Sequence, residues 1–484
     1  MAHKVMRNSD TILSTAVGLA LFYTWLVSHV RLFSLEIEAS VASHPITSHE
    51  LFGIINAILL FTLFILYLKK RFVPAGKAYL AFIGLALISG YALGELADLR
   101  VLPSLPQAVV VILYCLLTNA GMSLFSLEWI RLLGSLGSRT SLPILIGASA
   151  IAAGILAVLT RSPFFEVSFI ILIFPLGSLA ILVRRLSDKH IPQDYGKDSS
   201  LRIPYRLLAT VFISDCAYGA IEVLTTYSGL NNNLLVYGIG YAGTAILLLV
   251  TALYLRFDFN SLIYRIAFIT MAVGCVLFAL PEALLQTTGI YVNQVGYRFM
   301  LALIWILSVW LIDQCKLSAN WVFPVVTSIA FVGQFVGGSF SHATAALMGY
   351  SEGGLVVCLI LAILLPGSAL FLLDIRNLQT GWGFNRPIDR PTTPDERFDF
   401  ACASLAEKYR LTPREAEVFA LIAKGYSRAY ISERLVLSKE TVKSYANKMY
   451  AKVGVHTRQD IIELVDKQIT ENARDEKDTT HSIV

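Results

Sequence analysis

Charge is what this chain has least of. Charged residues make up 15% of its 484 positions and hydrophobic ones 56%, against about 25% and roughly 45–50% in soluble globular chains. Mean hydropathy is +0.65. That balance excludes a soluble enzyme, and the length is better counted in bilayer crossings of about 20 apolar residues each. Cysteine is scarce too. Cys115, Cys216, Cys275, Cys315, Cys358 and Cys402 form no C-x-x-C pair, so neither a disulfide framework nor a zinc site is expected. The histidines are scattered and no nucleophile–base spacing recurs. No enzymatic activity, metal or cofactor is expected.

Long apolar runs are there instead. Twelve are of helix length, over about 11–33, 51–68, 77–97, 106–127, 142–160, 164–183, 204–228, 234–255, 262–280, 294–312, 320–340 and 355–373. A helix satisfies its backbone groups inside lipid, so each run is expected to cross as one. The first is long enough to span, and no cleavable signal peptide is expected. With the N-terminus inside, the inner loops carry 17 Lys and Arg. The outer loops carry only Arg31, Arg100, Arg161 and Arg298. Positive charge stays on the cytoplasmic side, so both termini are expected there, in a multi-pass protein of the cytoplasmic (inner) membrane.

The longest inner loop, Arg184–Arg206, divides the spans six and six. This arrangement resembles the major facilitator superfamily of transporters, and the resemblance implies two halves around a midplane cavity. The superfamily's Gly-rich loop with Asp and Arg after span two is absent. Here that loop reads Lys69-Lys70-Arg71-Phe72-Val73-Pro74-Ala75-Gly76-Lys77.

Ionisable residues inside spans are functional candidates. Asp215 lies halfway along span seven, and Glu222 follows two turns later on the same face, with Tyr218 between them. Asp215, Tyr218 and Glu222 are the expected ligand or coupling residues. Glu128 and Arg298 are placed near span ends, within reach of headgroup water. Gly333-x-x-x-Gly337 in span eleven permits close helix packing.

After Asp374 the composition changes. Residues 376–404 hold Gly381, Gly383, Pro387, Pro391 and Pro394 among polar residues and read as a linker with a reach of roughly 30 Å. Four short helices are expected next. Thr412, Pro413 and Glu415 form a capping-box start for the first, and Gly425 ends it. The second starts at Ser427. Ser438 caps the third, which Gly454 stops, and Thr457-Arg458-Gln459-Asp460 opens the fourth. In the third helix Val442, Tyr445, Ala446, Met449 and Val453 recur at helical spacing and form the inward stripe. Lys439, Lys443, Ser444, Asn447 and Lys448 fall on the opposite face. Amines, a hydroxyl and an amide on one face suit a DNA major groove.

Leu411-Thr-Pro-Arg-Glu-x-Glu-Val418, Ala423-Lys-Gly-Tyr-Ser427, Ile431-x-x-x-Leu435, Ser438-x-x-Thr-Val-Lys443 and Lys452-Val-Gly-Val455 closely resemble the LuxR/NarL-type DNA-binding domain. The resemblance implies that the third helix is the recognition helix. It implies that Lys443, Ser444 and Asn447 face bases, and that Thr441 and Lys452 contact the DNA backbone. The net charge of residues 405–466 is only +3, a weak electrostatic footprint that suits a module binding DNA as a homodimer.

The expected fold class is all-α: a twelve-helix transmembrane bundle, 6+6 and major-facilitator-like, followed by a small four-helix helix-turn-helix domain. The expected domains are a membrane sensor over 1–375, the linker, a DNA-binding domain over 405–470 with its helix-turn-helix at about 426–445, and a polar tail over 471–484. No receiver domain, kinase core or phosphate-binding Gly-rich loop precedes the tail. The expected function is a membrane-embedded transcriptional regulator that senses an unknown small-molecule ligand through its bundle and binds double-stranded promoter DNA. The alternative is a major-facilitator-like transporter with an appended regulatory domain.

Overall fold

The computed structural model describes residues 2–32, 40–41, 44–45, 48–68, 77–98, 107–161, 172–187, 205–227, 234–254, 261–314, 317–372, 398, 401–402, 404–406, 408–409, 411–435 and 437–481. Apart from one antiparallel pairing of two-residue strands, β1 (Ser40–Val41) and β2 (His44–Pro45), the described elements are helices. Contacts divide the chain into two units, Met1–Asn385 and Arg386–Val484, each with a hydrophobic core of its own.

Among the described residues twelve α-helices build the first unit: α1 (Ala2–Leu32), α2 (Ser48–Leu68), α3 (Lys77–Asp98), α4 (Gln107–Leu136), α5 (Ser138–Thr160), α6 (Ile173–Ser187), α7 (Tyr205–Tyr227), α8 (Leu234–Tyr254), α9 (Phe268–Phe278), α10 (Ala283–Gln314), α11 (Ala319–Met348) and α12 (Tyr350–Leu372). A π-helical stretch, Ser261–Ala267, leads into α9. Among the described residues seven segments are long and apolar enough to cross a membrane, and three shorter apolar ones lie in α2, α3 and the Leu262–Phe278 stretch. Each helix coincides with one of the twelve apolar runs. The differences are at the ends. α4 continues to Leu136, nine residues past the expected end, and α10 begins at Ala283 rather than at 294. The apolar runs stop where polar residues begin. Inside a bundle a helix continues through polar residues whenever neighbouring helices supply their partners.

Packing repeats with a period of six helices. α1 lies on α5 and α6, as α7 lies on α11 and α12; α2 on α4, as α8 on α10; α3 on α4 and α6, as α9 on α10 and α12. Between the halves α2 meets α11 and α5 meets α8, a pair that the same shift of six exchanges. Parallel repeats about an axis along the membrane normal have this pattern. Pro143 in α5 and Pro324 in α11 each stand at the sixth position of their helix.

Phe22, Phe125, Trp129, Phe268 and Phe299 fill the interior at 0% exposure. Leu85, Leu253, Ile363, Leu370 and Phe371 stand outward, as side chains facing hydrocarbon do. α7 and α11 approach closest. A Cβ on Gly337 would strike the backbone carbonyl of Cys216, and one on Gly219 the backbone of Gln334. The Gly333-x-x-x-Gly337 pattern is thus used for close approach.

The second unit holds α13 (Pro413–Ala423), α14 (Arg428–Leu435), α15 (Lys439–Val453) and α16 (Arg458–His481). Thr412 Oγ1 accepts from the Glu415 backbone N–H at 3.4 Å, and Glu415 Oε2 accepts from that of Thr412 at 2.8 Å, a complete capping box. Ser438 caps α15 by accepting from the Thr441 N–H at 3.1 Å. Gly454 closes α15 at φ +78°, a conformation in which a Cβ is strained. The core joins Val418, Phe419 and Ile422 of α13, Ile431 of α14, Val442, Ala446 and Met449 of α15, and Ile461 and Val465 of α16. Ala401, Cys402 and Leu405 are buried in it as well, so the packed part starts before 405. The expected linker otherwise lies mostly outside the described residues. The polar tail is described only as the backbone of α16 as far as His481.

Candidate functional site

Between the two halves lies a cavity of about 180 Å³. Asp215, Tyr218 and Glu222, all on α7, line it. Asp215 is 1% exposed. Its Oδ1 accepts from the Tyr297 hydroxyl at 2.9 Å and from Gln334 Nε2 at 2.8 Å, and Gln334 Nε2 also lies 3.0 Å from the Tyr297 oxygen. Glycine packing between α7 and α11 makes this possible, because Gly219 lies against Gln334 itself. Tyr218 stacks on Tyr297 with ring centroids 3.7 Å apart and planes 11° from parallel. Glu222 Oε1 accepts from the Tyr237 hydroxyl at 3.1 Å.

Arg298 is the main correction. It was expected at an outer span end within reach of water. Because α10 starts about three turns earlier, Arg298 is at the midpoint of the Ala283–Asp313 span. It is 7% exposed and lines the cavity. Its guanidinium carbon lies 5.0 Å from the Tyr241 ring centre, 5.3 Å from that of Tyr237 and 5.9 Å from that of Tyr297. The polar residues Gln286, Thr287, Thr288, Asn293 and Gln294, interspersed with Ile290, Tyr291 and Val292, masked the helix start. The tyrosines and Gln334 gave no sequence signal, since a neutral aromatic or amide in an apolar run is ordinary.

Glu128 also differs from its expected place. It is 3% exposed and pairs with Arg131 Nη1 at 2.6 Å, while Arg131 Nη2 donates to Asn320 Oδ1 at 2.7 Å. The reciprocal contact joins Asp313 Oδ2 to the Ser138 backbone N–H at 2.9 Å. The end of α4 is tied to the start of α11, and the end of α10 to the start of α5. The shift of six helices relates the two ties.

In the second unit Lys439, Lys443, Ser444, Asn447 and Lys448 are exposed on α15, and Thr441 is half-buried. The opposite side carries Val442, Ala446, Met449 and Val453 into the core, with Tyr445 packed at its edge. Lys452 is engaged within the unit. Its Nζ donates to Glu415 Oε2 at 2.5 Å. That bond, with the one from the Thr412 backbone, holds the Glu415 carboxyl below the usual carboxylate range. Asp460 is lowered likewise by hydrogen bonds at the start of α16, first that of Thr457.

Residues 409–465 match the family of bacterial regulatory proteins, luxR family. The tail is a luxR-type DNA-binding domain. The matched segment includes all seven residues named for DNA contact. Tyr426, of the quoted Ala423–Ser427 motif, stacks on Tyr430 at 4.4 Å, and Arg434 Nη1 donates to the Tyr430 hydroxyl at 2.9 Å; Tyr430 and Arg434 are residues of the luxR-type domain that the sequence did not single out. The membrane unit is similar in fold to the human organic anion transporter MFSD10 (TETRAN). The TM-score is 0.52 at 12% identity, over 76% of this chain and 99% of that one. With the six-helix repeat, this identifies the major-facilitator fold in a multi-pass membrane protein. The Escherichia coli fucose:proton symporter FucP gives a TM-score of 0.48 at 15% identity, over 75% of this chain and 99% of that one. No curated protein matches the chain.

Proposed function

We propose that this protein is a membrane-embedded transcription regulator and not an enzyme: a small molecule bound between the halves of the bundle controls how the luxR-type tail occupies promoter DNA. The observation that carries the reading is a cavity with three buried ionisable residues, Asp215, Glu222 and Arg298, in the same chain as a DNA-binding domain. The bundle is the part with room for a signal. Both termini face the cytoplasm, the membrane is the inner one, and a linker over 376–404 lets the tail reach DNA as a homodimer. On α15, Lys443, Ser444 and Asn447 read bases. Thr441 and Lys452 meet the DNA backbone, with Lys439 and Lys448 flanking.

The fold likeness to a transporter supports a second reading, a transporter with an attached regulatory domain. One experiment separates the two. The full chain in nanodiscs is used to select genomic DNA fragments, and the selected promoter drives a reporter in cells exposed to candidate ligands. The same ligands are offered to sealed vesicles containing the protein. Ligand-dependent reporter output without accumulation in vesicles is the expected result. Accumulation with an unchanging reporter supports transport instead.

A further inference from the structure

We propose that the cavity takes a small organic monocarboxylate, its carboxylate bound to Arg298. This names the ligand class of the sensing site and rests on that reading. Arg298 is the observation that carries it. A buried cation in a membrane bundle is costly and is found paired. Arg131 shows how this chain meets that need, with one guanidinium nitrogen on Glu128 and another on Asn320. Arg298 is more deeply placed, and among the described residues it lacks such partners: its one hydrogen bond there is a 3.5 Å contact to the Tyr241 hydroxyl, and its buried Nε makes none. Among the described residues, no carboxylate comes within the 4.0 Å of an ion pair. The guanidinium instead faces tyrosine rings, which attract a cation weakly and leave its fork of N–H donors unfilled.

The protein's own carboxylates in the cavity are turned elsewhere. Asp215 is held by Tyr297 and Gln334, and Glu222 accepts from Tyr237. A carboxylate matches a guanidinium in bidentate geometry, so an acid supplies what Arg298 lacks. Asp215 and Glu222 set the limit on charge. A second negative charge on the ligand would meet them in a site of low dielectric, so a dianion is disfavoured. Size follows from the volume. A cavity of about 150 Å³ is known to hold benzene, so 180 Å³ suits an acid with about one ring or an equal aliphatic body. Apolar wall area for that body comes from Phe22, Tyr23, Phe323 and Phe331.

The test measures binding directly, apart from any promoter. The full chain in nanodiscs at constant pH is titrated with benzoate and 3-phenylpropionate, with their primary amides, with benzylamine, and with terephthalate as the dianion. Thermal shift and calorimetry are the readouts. Saturable binding of an acid, at least tenfold weaker binding of its amide, and none of the amine or dianion are expected. Arg298→Gln should remove the preference for acid over amide, and Arg298→Lys should keep part of it. Equal binding of acid and amide, preference for the amine, or no saturable binding by either acid overturns the proposal. The wild-type panel decides this even if the variants fold poorly. Acid binding with no reporter response would sink the sensing reading while leaving the ligand class standing. A reporter response to amines alone would do the reverse.

Discussion

Arg131 in α4 and Lys443 in α15 carry the same charge in opposite settings. Arg131 bonds to fixed partners inside the bundle, whereas Lys443 stands exposed on a helix whose other side is core. The bundle arranges polar groups around one another first, and its cavity is what that arrangement leaves. The luxR-type tail buries its apolar stripe and leaves its polar face to a partner. Substitutions in the bundle should therefore change folding and response together. Substitutions on the exposed face of α15 should change DNA binding and leave folding alone.

The largest effect should come from Gly337→Leu. Its side chain would be driven into the Cys216 carbonyl, and α7 and α11 would have to separate. Overpacking costs about 1–3 kcal/mol and occasionally more where side chains can shift; here backbone must move. Loss of the monodisperse peak of detergent-extracted protein is expected. A wild-type elution profile would show that the close approach is dispensable.

Asp215→Ala comes next. It leaves the Tyr297 hydroxyl without its acceptor, at about 1–3 kcal/mol for the orphaned group, and the Gln334 amide with the Tyr297 oxygen alone. Thermal unfolding of the full chain should fall by several degrees and the reporter response should be lost. Asp215→Asn keeps the shape and should alter the response more than the unfolding temperature. DNA binding by the isolated tail cannot depend on either. If Asp215→Asn regulates normally across the ligand range, the residue is structural only.

On the exposed face, Asn447→Ala should weaken cognate DNA by about 1–3 kcal/mol and relax preference at one base position, with no change in the tail's unfolding temperature. An equal loss on random DNA would mean that Asn447 touches backbone and not bases.

Glu415 and Lys452 blur the division between the two settings. The Glu415 carboxyl is lowered in the folded tail, so its contribution is present above the unfolded carboxylate pKa. It is lost as pH falls through the folded value. Glu415→Gln should cost roughly 1 kcal/mol at neutral pH, the scale of a helix cap, and should flatten the acid limb of a stability–pH profile. The smallest effect concerns salt. A lysine that meets a phosphate contributes about one unit to the salt slope of DNA binding. Lys452→Ala should lower the slope by less than that, because Glu415 already shares its ammonium, whereas Lys443→Ala should weaken cognate DNA more than random DNA. A full unit of change from Lys452→Ala would mean that Lys452 leaves Glu415 on DNA.

The twelve helices were legible because hydrocarbon imposes a length and an apolarity that each run displays. The tail was legible through its caps, since Thr412, Ser438 and Gly454 act on backbone a few residues away. Asp215 and Glu222 stood out as charges in an apolar run. Arg298 is also a charge, but the polar residues before it imitated a helix end. Gln334 and Tyr297 could not be read, because their roles depend on α10 and α11 meeting α7, and that contact spans about a hundred residues of chain. The six-and-six division was legible from the long charged loop Arg184–Arg206, but which helices pack together within and between the halves was not, for the same reason.

Arg298 also bears on how the protein is made. At the centre of a span an arginine adds roughly 2.5–3.5 kcal/mol to the free energy of insertion. The run after it, Leu301, Leu303, Ile304, Ile306, Leu307, Val309, Leu311 and Ile312, returns about 0.3–0.6 kcal/mol for each residue near the middle of the bilayer. The two contributions roughly cancel. α10 therefore enters the membrane with little margin and draws stability from the helices already in place, α8 and α9 among its neighbours. Thinning its apolar half would leave less to offset the arginine, so the sequence of that half serves insertion during synthesis as well as packing.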